Sequence, residues 1–245
     1  MNAMQIARPV VNLLRSPEGP RDRQLLFGDR VEELEKSGDW RRVRAAKDGY
    51  EGWVPARALE LPWEPSHWVS APATHVYSDP DIKSADCLSL SFGSRVTAVG
   101  EDDKFVETPM GHVPRQHLHP AATMLEDPVA VAALFLGTPY LWGGNSRWGI
   151  DCSGLVQAAL LACGLPCPGD SGDQERELGR ALSEGTPPQR GDLLFWKGHV
   201  AWVADEDTIL HANANDMSVA YEPLESAIAR IEARGDGPVT AHKRL

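Results

Sequence analysis

No run of eighteen apolar residues occurs in the 245-residue chain, so no bilayer-spanning helix is predicted. Cysteine is scarce, and Cys87, Cys152, Cys163 and Cys167 stand at no spacing that implies a disulfide framework. Cys163 and Cys167 read as half of a zinc site. No second pair of Cys or His follows at ligand spacing, so neither a metal nor another cofactor is expected. Positive charge is short as well. With 24 Lys and Arg against 35 Asp and Glu, the formal net charge is −11 and the isoelectric point about 5.2. That balance argues against nucleic acid, an anionic membrane surface or a polyanionic wall polymer as the main partner. The first twenty residues hold only Val10-Val11-Asn12-Leu13-Leu14 before Arg15, too short an apolar stretch for a secretory signal. The absence of a disulfide pattern and of an export signal together predict a cytoplasmic protein.

What is present begins with an internal repeat. Phe27-Gly28-Asp29-Arg30-Val31 recurs as Phe92-Gly93-Ser94-Arg95-Val96, and Gly52-Trp53-Val54-Pro55 recurs as Gly111-His112-Val113-Pro114. Short alternating strands between Gly and Asp turns predict a small β-barrel in each copy. Leu61-Pro62-Trp63-Glu64-Pro65 reads as the linker between copies, and Pro120 to Asp127 as a second joint. The expected domains are therefore residues 1–62, 66–121 and 125–245.

The pattern changes after the second joint. Asp127-Pro128 predicts a helix start, with Val129 to Leu136 continuing to Gly137. A second helix is predicted from Cys152 to Cys163-Gly164, and a polar one from Ser171. Strands are expected at Asp192–Trp196, His199–Ala204, Thr208–Ala212, Ser218–Tyr221 and Val239–His242. Helices followed by strands indicate an α+β domain.

One stretch reads as chemistry: Gly149-Ile150-Asp151-Cys152-Ser153-Gly154, ahead of apolar Leu155, Val156, Ala159 and Leu160. A thiol at a helix N-terminus ionises more easily than a free one. The plain alternative is a buried helix cysteine, although the small polar flanks suit an exposed helix start. His199 and His211 each lie in apolar strand-like runs and read singly as half-buried strand histidines. Taken with Cys152 they form a nucleophile, a base and a group that orients the base. The backbone N–H of Cys152 and the Tyr140 hydroxyl are candidates to meet an oxyanion. Ser171 with Gln174 reads as a helix capping box after Asp170.

Five ordered blocks resemble the NlpC/p60 family of papain-like cysteine peptidases: Pro139 to Gly144, Asp151 to Leu155, Arg190 to Phe195, Gly198 to Ala201 and Ile209 to Ala212. Gly-Trp-Val-Pro similarly resembles the closing strand of bacterial SH3-like domains, well in the first copy and weakly in the second. The resemblance implies two SH3-like barrels before an NlpC-type domain, with Cys152 as nucleophile, His199 as base and His211 as third member. The domain order resembles the family branch that cleaves between γ-D-Glu and a diamino acid in free murein stem peptides with an N-terminal L-Ala. Membership of that branch implies cell-wall peptide recycling. It also implies that Asp170 and Ser171 hold the substrate amine, that Tyr140, Trp142, Asp151 and Ser153 line the groove, and that Tyr50 reaches it from the first barrel. The branch places a Glu from that barrel near the amine, where Arg21-Asp22-Arg23-Gln24 supplies only Asp22. An exported hydrolase of intact wall and a non-catalytic wall- or peptide-binding protein are the alternative readings.

Overall fold

The computed structural model describes residues 2–245. They form two compact units: one runs through Met124 and includes Asn145–Trp148, and the other comprises Leu125–Gly144 and Gly149–Leu245.

The first unit is built from the sequence repeat. Strands between Asn2 and Glu60 make one antiparallel seven-stranded sheet. Its alternating inward residues Val11, Leu13, Leu25, Val31, Val43 and Val54 pack around Ile6. Strands between His67 and Pro120 form a five-stranded and a three-stranded sheet around Val69, Val76, Leu90, Val96 and Val113. After each Val-Pro pair the chain makes a 3-10 turn, Ala56–Ala58 in one copy and Arg115–His117 in the other.

The Phe-Gly motif does more than turn the chain. Gly28 and Gly93 both have left-handed backbones, φ 78° and 85°, which glycine adopts without steric cost. Arg95 N–H donates to the Phe27 carbonyl at 2.9 Å, and Phe27 is part of the second copy's core. A Cβ on Gly28 would meet the Arg95 carbonyl oxygen at 2.4 Å, so the close approach of the two copies requires glycine there. Phe27 therefore couples two sheets that the sequence divides at the Leu61–Pro65 linker.

The second unit carries four helices and a six-stranded antiparallel sheet. Helix α1 is Pro128–Ala133, capped by Asp127, whose carboxylate accepts from Val129 and Ala130 N–H. It is shorter than the predicted run to Leu136. From Leu134 onward the amides bond three residues back, tightening the chain while it buries Phe135 and leaves Leu134 and Leu136 exposed.

Helix α2 is Cys152–Ala162 and ends as the sequence predicts. Leu165 N–H reaches the Leu160 carbonyl, Gly164 N–H reaches Leu161, and Gly164 has φ 73°, a glycine-closed helix terminus. Helix α3 is Ser171–Glu177.

The sheet order is Arg180–Ala181, Ala241–Arg244, Leu193–Trp196, His199–Asp205, Thr208–Asn213 and Ser218–Pro223. A fourth helix, α4, spans Leu224–Ala233. It was not anticipated, although Leu224, Ala227, Ile228 and Ile231 follow a helical period after Pro223. Those residues cover Leu194, Trp196, Ala201, Val203 and Ile209 on one face of the sheet. No helix among the described residues is long and apolar enough to cross a membrane.

Candidate active site

The site begins with the cap of α2. Asp151 is nearly extended, φ −100° and ψ 178°, and its Oδ1 accepts from Gly154 N–H at 2.7 Å. Its Oδ2 accepts from Gly143 N–H at 2.8 Å, and the Ser153 hydroxyl donates to Oδ1 at 3.2 Å. One carboxylate thus pins the Tyr140–Gly144 loop to the helix start. These contacts correct one expectation: Asp151, Cys152 and Ser153 are buried, not an exposed helix start, and Asp151 and Ser153 brace the helix in addition to any part they take in the groove.

The Cys152 thiol lies 4.0 Å from the carbonyl oxygen of Gly198, the residue before His199. Gly198, with φ 77°, closes a two-residue hairpin in which Trp196 pairs with His199. The hairpin thus brings the first residue of the next strand to the helix tip. His199 Nε2 and His211 Nδ1 are 2.9 Å apart. Trp202 pairs with Leu210 in the antiparallel ladder between these strands; carried one residue further, that register sets His211 across from Ala201 and makes His199 and His211 diagonal neighbours on one sheet face.

Both rings are held neutral. Burial pushes His199 down to about 3, with His211 and Arg230 adding in the same direction. Burial likewise pushes His211 down to about 4, against the opposing pull of the Glu222 and Asp216 carboxylates. His199 is therefore held toward the neutral imidazole that can take a proton. Burial pushes the Tyr140 hydroxyl up to about 12, and the negative charges of Cys152 and Asp151 act in the same direction. At neutral pH that hydroxyl remains a donor.

The remaining expected residues divide. Trp142 presents a largely exposed indole next to Gly143. Asp170 is the residue before α3, yet its side chain makes no capping hydrogen bond and the residue is exposed. Ser171 is the first helical residue, so the capping box expected of Ser171 and Gln174 does not form. Gln174 is fully buried and donates instead to the carbonyls of Ser153 and Pro168, tying α3 to the first turn of α2. In the first unit, Tyr50 packs against the core of the seven-stranded sheet, and Asp22 is ion-paired with Arg15. Among the described residues no three His, Cys, Asp or Glu side chains cluster as metal ligands.

Two residues absent from the sequence reading stand behind His211. Glu222 accepts from its Nε2 at 3.1 Å, and Arg230 donates to the same carboxylate through Nε at 2.8 Å and Nη2 at 2.6 Å.

A thiol at a helix N-terminus beside two hydrogen-bonded imidazoles is the equipment of a cysteine hydrolase. Residues 137–233 match the NlpC/P60 family, and residues 13–59 match the bacterial dipeptidyl-peptidase SH3 domain. A gamma-D-glutamyl-L-lysine dipeptidyl-peptidase of Bacillus subtilis (strain 168) is 30% identical over 234 residues, covering 84% of this chain and 76% of that protein. Dipeptidyl-peptidase 6 of Lysinibacillus sphaericus is 30% identical over 256 residues, covering 92% of each.

The chain belongs to the NlpC/P60 family.

The crystal structure of an NlpC/P60 family protein from Bacillus cereus ATCC 10987 shares its fold, with a TM-score of 0.82 at 23% identity and 99% of each chain covered. The second unit is thus an NlpC/P60 domain of α+β class, preceded by SH3-like β-structure. Its family and its relatives support a hydrolase of the cysteine peptidase type.

Proposed function

We propose that this NlpC/P60 protein hydrolyses the bond between γ-D-Glu and an L-diamino acid in free murein stem peptides with an N-terminal L-Ala. One observation carries the chemistry: the His199–His211 hydrogen bond of 2.9 Å beside the helix-tip thiol of Cys152. The relatives named gamma-D-glutamyl-L-lysine dipeptidyl-peptidase and dipeptidyl-peptidase 6 support the choice of bond.

In this mechanism Cys152 gives its proton to Nδ1 of His199, because Nε2 is committed to His211. The thiolate attacks the γ-carbonyl carbon of D-Glu. The resulting oxyanion is met by the Cys152 backbone N–H at the positive end of α2 and by the protonated Tyr140 hydroxyl. His199 then returns its proton to the departing amine of the diamino acid, leaving a thioester on Cys152. Water, deprotonated by the same ring, hydrolyses that thioester and releases L-Ala-γ-D-Glu.

Asp170 supplies the carboxylate for the substrate ammonium, with Ser171 beside it and Trp142 as an apolar wall. The exposure of Asp170 and its place at the start of α3 favour this role. We place the reaction in the cytoplasm, as a step of wall-peptide recycling. The acidic chain and its lack of a disulfide pattern favour that setting over work on the polymer.

Incubation with L-Ala-γ-D-Glu-diaminopimelate tests the reading. Release of L-Ala-γ-D-Glu is expected, and N-acetylation of the substrate should cut kcat/KM at least about 100-fold, the loss of a desolvated charge pair. Equal cleavage of both peptides would remove the amine requirement. Release of soluble fragments from intact sacculi would move the substrate from free peptide to wall.

A further inference from the structure

The array that starts at Cys152 continues beyond His211. Glu222 lies opposite Ile209 in the antiparallel ladder, and Ala220 lies opposite His211. Residues two apart share a sheet face, so Glu222 is a diagonal neighbour of His211. Its Oε2 reaches His211 Nε2 at 3.1 Å. On the other side, the Arg230 fork from α4 grips both carboxylate oxygens. That pairing keeps the Glu222 carboxyl below its usual range, and so ionised.

Proton bookkeeping along the chain then has one solution. An ionised carboxylate only accepts, so His211 carries its proton on Nε2. A neutral His211 then presents a lone pair at Nδ1. His199 Nε2, 2.9 Å away, must donate to it. The remaining ring nitrogen of His199, Nδ1, is left with a lone pair. In the opposite arrangement, a proton on His211 Nδ1 would force the His199 proton onto its own Nδ1, and that ring could not accept from the thiol.

We propose that Glu222, clamped by Arg230, is a positioning residue that fixes the tautomers of both imidazoles and so keeps His199 Nδ1 open as the base for Cys152. The proposal rests on the reading of His199 as that base. Neither Glu222 nor Arg230 touches the reacting atoms; both act through His211. The carboxylate also compensates the positive charge that forms on the imidazole pair during proton transfer. Without it, the Arg230 guanidinium would oppose that charge.

Long-range 1H–15N correlation spectra of the full chain labelled at histidine read the tautomers directly and require no substrate. In the unaltered protein at neutral pH both rings should be Nε2–H. In Glu222→Ala at least one ring should shift to the Nδ1–H form or to a mixture. Its kcat on the stem peptide should fall about 10- to 100-fold, the usual size when an imidazole loses its orienting partner. Its KM should stay within about twofold, because no substrate contact is removed. Glu222→Gln keeps an acceptor oxygen, so its tautomers should persist and its kcat should fall less.

Unchanged tautomers in Glu222→Ala would overturn the proposal, even with a lower kcat, since the loss would then come from packing. Altered tautomers with an unchanged kcat would overturn it as well. A protein that cleaves no stem peptide at all would contradict the peptidase reading instead. The spectra would still decide what Glu222 does to the two rings.

Discussion

The NlpC/P60 domain contains the same three groups twice. At the active site, Glu222 accepts from His211 Nε2 and from the Arg230 fork. At the far side of the same sheet, Asp192 accepts from His242 Nε2 at 2.7 Å and from Arg244 Nε and Nη2 at 2.7 Å each. Burial pushes the Asp192 carboxyl up, but hydrogen bonds from Arg244 and His242 outweigh it and hold it down. Glu222 is held down chiefly by its bond from Arg230.

The difference lies in what each histidine meets next. His211 passes its second nitrogen to His199, whose neighbouring residue touches the helix-tip thiol. His242 joins the C-terminal strand to Asp192 and leads to no nucleophile. Carboxylate, imidazole and guanidinium therefore make a strut or a catalytic support according to what lies beyond the ring.

The two clusters should respond oppositely to substitution. His199→Ala should lower kcat at least about 1,000-fold while leaving the urea midpoint nearly unchanged, because it removes the base. His242→Ala should leave kcat within about threefold and lower the midpoint. Equal kinetic losses would erase the distinction.

Asp192→Ala should cost about 3 kcal/mol of stability, since it strips the buried partner from two side chains. Chemical denaturation at pH 7.5 measures that loss, and an unchanged midpoint would show the cluster to be inert.

Acid should separate the pair further. His199 and His211 have folded values of about 3 and about 4, below the unfolded value of 6.5. The unfolded chain thus binds protons first as pH falls. Stability is fully present above pH 6.5 and is lost toward the folded values, at up to about 1.4 kcal/mol per ring per pH unit. His67 and His117 are shifted down by burial and contribute in the same direction. Changing His199 and His211 together to Asn should flatten the slope between pH 6.5 and 5.5 relative to the unaltered protein. An identical slope would mean that the active-site rings are not buried neutral.

The smallest effect is expected outside both clusters. Asp127→Ala removes the α1 cap and a half-exposed ion pair with Arg190. It should cost about 1 kcal/mol without altering kcat. A kinetic loss would place α1 within the catalytic support.

Much of the site was legible because its signals are local. Asp151 before Cys152 marks a helix start within three residues, and His199 and His211 sit in short apolar strands with turn residues beside them. The repeated Phe-Gly motif likewise announced two copies of a β-unit, though not that Phe27 joins the core of the second. Residues that serve two purposes were harder to read. Asp151, expected to line the groove, is also a cap whose oxygens accept from Gly143 and Gly154 N–H. Gln174, which also read as half of a capping box, instead holds the Ser153 carbonyl.

Glu222 and Arg230 were missed for a different reason. Glu222 follows exposed Tyr221 in a strand of mixed burial, and Arg230 belongs to a helix that was not foreseen. Only the diagonal of the ladder brings the carboxylate to His211. The clamp on Asp192 is equally non-local, and the last strand runs Ala241–Arg244 and not Val239–His242 because its backbone pairs with Leu193–Phe195 on one side and Arg180–Ala181 on the other.

The central claim is that the Cys152 sulfur performs the attack, and the most direct test is the turnover number of Cys152→Ala on L-Ala-γ-D-Glu-diaminopimelate, with circular dichroism confirming an unchanged fold. The account predicts no detectable release of L-Ala-γ-D-Glu under conditions in which the unaltered protein converts the peptide fully. Measurable turnover by the folded Cys152→Ala protein would contradict it.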